Sequence, residues 1–111
     1  MNFFTGDSLW LAGLLWALAV AATIADWLQT LTIAKHPDLF TEFNPILGKH
    51  PSVARVNIYF ASFIILFSAL FVLMLAEKML FIPMWMVGAI FGMECCVVWM
   101  NYRNKIWFDD L

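Results

Sequence analysis

A chain of 111 residues that is 64% hydrophobic and 13% charged is too apolar for a water-soluble domain, where about 45–50% apolar and 25% charged residues are usual. Its net charge of −2 provides no basic stripe that could track phosphates, which argues against nucleic acid as a direct partner. No internal repeat or low-complexity tract is present, and the short polar segments leave no room for a second domain.

The first predicted element covers about residues 8–34. Ser8–Ala25 carries no charge, and the run continues past Asp26 to Ala34, exceeding the roughly 20 residues that cross about 30 Å of hydrocarbon. Ala17, Ala19 and Ala21 offer the small-residue pattern of a signal-peptide cleavage site. The residues before the run, however, contain Asp7 and no Lys or Arg, so an uncleaved span is expected.

Asp26 is out of place in such a span. A charge near the bilayer centre costs roughly 2.5–3.5 kcal/mol on insertion scales, so it normally faces other helices or water. Gln29 and Thr30 follow at i+3 and i+4 on the same face, and Thr23 and Ala19 extend that polar, small-residue stripe. The expected role of Asp26 is a tether: its carboxylate would accept hydrogen bonds from loop N–H groups or from Asn44. The alternative is chemistry or ion handling.

The loop over 35–52 holds three proline-bearing turns, His36-Pro37-Asp38, Asn44-Pro45 and His50-Pro51-Ser52. Asn44 can cap a short helical turn with Pro45 at its first position and Gly48 just past its end. Phe40, Phe43, Ile46 and Leu47 would then form an apolar face lying along the membrane surface or packing onto the bundle. An ordered cytoplasmic loop is expected. His36, Glu42 and His50 could make a two-His, one-carboxylate metal site. Each His precedes Pro and their spacing matches no established ligand motif, so they read as surface-turn histidines and no metal is assigned.

Ala25-Asp26-Trp27-Leu28-Gln29-Thr30, together with Glu42-Phe43-Asn44-Pro45-Ile46-Leu47-Gly48-Lys49-His50-Pro51-Ser52, resembles a family of small uncharacterised membrane proteins from bacterial and phage genomes. The family pattern is Asp-x-x-x-Thr late in a first helix and Glu-x-Asn-Pro-x-Leu-Gly-x-His-Pro-Ser in the loop. The resemblance covers roughly residues 25–60 and implies kinship without implying an activity.

The second and third helices are expected over about 53–76 and 79–102, the second capped by Ser52. Glu94 interrupts the third as Asp26 interrupts the first. Each carboxylate precedes a basic residue, Arg103 or Lys35, by nine positions. At 1.5 Å per residue both lie about 13 Å before that anchor and so occupy one layer. Asn57 and Tyr59 of the second helix enter the same layer, giving an expected pocket of Asp26, Thr30, Asn57, Tyr59 and Glu94, with Gln29 completing the polar intramembrane cluster. Two carboxylates close together would share a proton, which suits proton handling, metal binding or water activation. Gly88 and Gly92 form a G-x-x-x-G strip, continued by Cys95 and Trp99, where helix backbones can approach closely. Within one chain or between chains, both arrangements remain open. Cys95 and Cys96 are adjacent and read as packing residues.

Five of the six basic residues lie in the first loop or the tail, and only Lys78 lies in the second turn. Lys and Arg are retained on the cytoplasmic side, which predicts N-out/C-in. The expected fold is an all-α membrane protein of three transmembrane helices in the bacterial inner (cytoplasmic) membrane. No Walker A loop, nucleophile elbow or zinc-protease motif appears, and nothing requires a cofactor. The expected function is a non-enzymatic oligomeric or accessory subunit, in a homo-oligomer or a larger membrane complex. A phage holin-like pore former and an intramembrane enzyme or ion-handling protein using Asp26 and Glu94 are the alternatives.

Overall fold

The computed structural model describes residues 6–106, and its regular structure is helical: α1 (Gly6–Lys35), α2 (Val53–Ala76) and α3 (Phe81–Arg103). All three are long and apolar enough to cross a membrane. At 1.5 Å per residue even α3 extends about 34 Å, beyond the roughly 30 Å of a hydrocarbon core.

Local chemistry sets the helix ends. Ser52 has extended backbone and its side chain accepts from Arg55 N at 3.1 Å, capping α2. Helix α3 begins at Phe81, two residues later than the hydropathy suggests. The reason is the stop of α2: Lys78 adopts φ 62°, Lys78 N donates to Leu75 O, and Met79 N donates to Met74 O at 3.0 Å. These paired bonds form the closing motif usually made with glycine. The end of α3 repeats it with Lys105 at φ 62° and Ile106 N donating to Asn101 O at 2.9 Å. Pro83 sits in the first turn of α3, where a missing N–H removes no helical bond.

Hydropathy cannot select the inward face here, because lipid is as apolar as a packed core. Spacing selects it. Helix α1 buries Ala12, Ala19, Thr23, Asp26, Thr30 and Ile33 in steps of three and four once Trp16 is included, and Gln29 and Thr32 widen that face at the loop end. Helix α2 presents Val56, Phe60, Phe67 and Phe71, and α3 presents Pro83, Val87 and Glu94. Such a near-3.5 repeat keeps each seam facing its neighbours along the bundle. The most extensive contact is between α1 and α3.

Two apolar clusters divide the bundle lengthwise. Away from the loop, Ala12, Ala19, Phe67, Phe71, Leu80 and Val87 pack together. Trp16 stacks on Phe71 there and donates Nε1–H to Ser68 Oγ at 2.9 Å. At the loop end, Leu47, Val56 and Phe60 form the second cluster, with Trp27 stacked on Phe60. The buried threonines bond inside their own helix: Thr23 Oγ1 donates to Ala19 O at 2.7 Å and Thr30 Oγ1 to Asp26 O at 2.8 Å.

Candidate functional site, a polar chamber beneath the loop

The loop folds around two side chains. Glu42 Oε1 accepts from the backbone N–H groups of Phe43 and Asn44, both at 3.1 Å. Asn44 Oδ1 accepts from Ile46 N at 3.0 Å, and Gly48 N donates back to Asn44 O at 3.1 Å. Gly48 follows at φ 84°, the left-handed conformation that ends the turn and favours glycine. Glu42 N then closes the segment on Lys49 O at 2.9 Å. Two further bonds fasten it to α2: Asn44 Nδ2 donates to Tyr59 Oη at 3.0 Å, and Arg55 Nη2 to Ile46 O at 2.8 Å. Leu47 is buried against Val56 and Phe60, whereas Phe43 and Ile46 project outward, Phe43 with 87% of its surface exposed. The loop's apolar residues thus divide between the bundle and the outside.

Beneath this loop lies a cavity of 310 Å³ reached by Asp26 from α1, Glu42 and Asn44 from the loop, Tyr59 from α2, and Glu94 and Asn101 from α3. The Asp26 and Glu94 carboxyls are hydrogen-bonding neighbours. Thr30 Oγ1 also reaches Asp26 Oδ1 at 3.2 Å. Glu94 Oε2 is buried with no hydrogen-bond partner among the described residues. Burial raises the Glu42 carboxyl above its ordinary value of 4.5. The backbone N–H of Asn44 pulls it back down, and the nearby Asp26 charge pushes it up.

Three sequence expectations are corrected by this geometry. First, Asp26 bonds to Thr30 and Glu94 rather than to the loop; Glu42, the loop carboxyl that shares its cavity, is itself an acceptor already holding two N–H groups. The tether belongs to Asn44, Tyr59 and Arg55. Second, Asn57 does not enter the chamber: it is exposed and accepts from Trp27 Nε1 at 2.9 Å. Residues two apart on a helix differ by about 200°, so α2 cannot aim Asn57 and Tyr59 at one cavity. Third, Gln29 does not itself line the chamber; it donates to Val98 O and accepts from Nδ2 of Asn101, a chamber residue, both at 3.1 Å.

Asn101 carries no signal as a lone residue, yet it stands seven positions after Glu94, two turns along the same face. His36 meets Phe40 edge-on, and neither His36 nor His50 lines the chamber. Cys95 and Cys96 are exposed on the outside of the bundle. A Cβ placed on Gly88 or Gly92 would meet nothing within 4 Å, so these glycines make no close approach within the described chain.

The architecture defines a class: a multi-pass helical membrane protein with a polar chamber buried between its spans. Family models, curated proteins and solved structures give no match to the chain.

Proposed function

We propose that this chain is a non-enzymatic subunit of the bacterial cytoplasmic membrane, N-out/C-in, which contacts partner membrane helices through the Gly88/Gly92 face of α3 in a homo-oligomer or a larger complex. The observation that carries this reading is the open space over both glycines. Small residues in a membrane helix let backbones approach, and no element of the described chain uses that opportunity here. Two apolar grooves on the α1–α3 seam support it. One, of 400 Å³, includes Leu15, Trp85, Gly88 and Ala89; the other, of 520 Å³, includes Leu18, Ala22, Cys95 and Trp99. The strip Gly88, Gly92, Cys95, Trp99 thus runs beside both.

Replacing Gly88 and Gly92 together with Ile tests it. The open space accommodates the new side chains within the chain, so insertion and helicity are expected to persist while partner helices are held apart. Particle mass in nanodiscs and light scattering in detergent should both fall to the single chain. An unchanged mass overturns the reading.

A further inference from the structure

We propose that the chamber beneath the loop binds a small primary amine in its protonated form. Three carboxyl groups, those of Asp26, Glu42 and Glu94, face one cavity, and no Lys, Arg or His is among the residues lining it. Glu94 is only 5% exposed, yet its Oε2 has no hydrogen-bond partner among the described residues. A buried carboxyl oxygen left without a partner costs free energy that a bound N–H donor recovers.

The arrangement selects among cations. Among the described residues no three His, Cys, Asp or Glu side chains stand close enough to hold one metal ion. An ammonium group makes a different demand, since its three N–H donors take hydroxyl and amide oxygens as well as carboxylates, at about 2.7–3.2 Å. Glu94 Oε2 and Asp26 supply such acceptors, with Tyr59 and Asn44 beside them. The remaining wall fits an alkyl tail: Met93, Val97 and Met100 are apolar. At 310 Å³ the space stands at the small end of ligand sites, which run about 300–1,000 Å³. A short alkylammonium ion matches that size, charge and mixed lining.

The probe is n-butylammonium, titrated calorimetrically into the full chain in nanodiscs with empty nanodiscs as the blank. Neutral n-butanol and the chlorides of sodium, magnesium and calcium are run at matched ionic strength. Saturable uptake of butylammonium alone is expected, at least tenfold weaker in Glu94→Gln at an unchanged thermal transition. Butylammonium should also protect Glu94 from a lipophilic carbodiimide, read by peptide mass spectrometry on the unaltered chain. Val97→Phe, which fills the cavity, should abolish the uptake without removing a carboxylate. Uptake no greater than that of sodium or butanol overturns the proposal, as does tighter uptake of a divalent metal or equal uptake by Glu94→Gln.

Discussion

Asn44 of the loop donates Nδ2–H to the hydroxyl of Tyr59, 15 positions later, at 3.0 Å. That bond passes the fold of the loop directly to α2, because the other end of the same amide, Oδ1, accepts from Ile46 N. One side chain therefore both shapes the turn and fastens it.

Tyr59→Phe removes the fastening and keeps the ring contacts with Phe60 and Phe63. The expected cost is about 0.5–1.5 kcal/mol, with hydrogen exchange over 44–48 rising about two- to twelvefold. Asp26→Asn should leave that exchange unchanged, since no loop group bonds to Asp26. Asp26→Leu should cost the bundle roughly 1–3 kcal/mol by stripping Thr30 and Glu94 of a partner. Loop exchange that accelerates in Asp26→Asn and not in Tyr59→Phe would restore the tether to Asp26.

The Glu42 carboxyl gives a pH signature. Its folded-state value is raised, chiefly by burial, so the folded chain binds this proton more tightly than the unfolded one. Its contribution to stability is therefore full below the ordinary value of 4.5 and is lost as pH rises through the folded-state value. Glu42→Gln keeps a carbonyl oxygen for the Phe43 and Asn44 N–H groups without the charge. The melting temperature of Glu42→Gln relative to the parent chain should climb as pH rises above the ordinary value of 4.5 and level off once the folded-state carboxyl is ionised. A constant difference, or one that falls, counts against the assignment.

Orientation follows from the basic residues and is checked with single cysteines in a background where Cys95 and Cys96 are replaced. Position 44 should resist membrane-impermeant reagents in intact cells, and position 78 should react. The opposite pattern would turn the chamber toward the outside.

The spans and the interior stripe of α1 were legible because each rests on local information. Uncharged length reports a span, and the 3–4 spacing of Ala19, Thr23, Asp26 and Thr30 reports a face. The common depth of Asp26 and Glu94 was also readable, since each stands nine residues before a basic anchor and both reach one cavity. Pairings were harder. The separation of Asn57 from Tyr59 could have been deduced from helix geometry, but the capture of Asn57 by Trp27 depends on how α2 rotates against α1. The Gln29–Asn101 bond spans 72 positions and depends on the close approach of α1 to α3. The late start of α3 came from Lys78 in a conformation that its residue type does not advertise.

The threonines of α1 bear on how the chain is made. Thr23, Thr30 and Thr32 each donate to the carbonyl four residues earlier, Thr32 to Leu28 O at 3.4 Å. Such a helix satisfies its hydroxyls before any neighbour arrives, so these threonines add little to the cost of placing α1 in lipid. Asp26, Gln29 and Trp27 are different, because each reaches for α2 or α3. The polar groups of α1 thus divide in two: threonines satisfied within their own helix, and three side chains whose partners are supplied only where α2 and α3 pack against it.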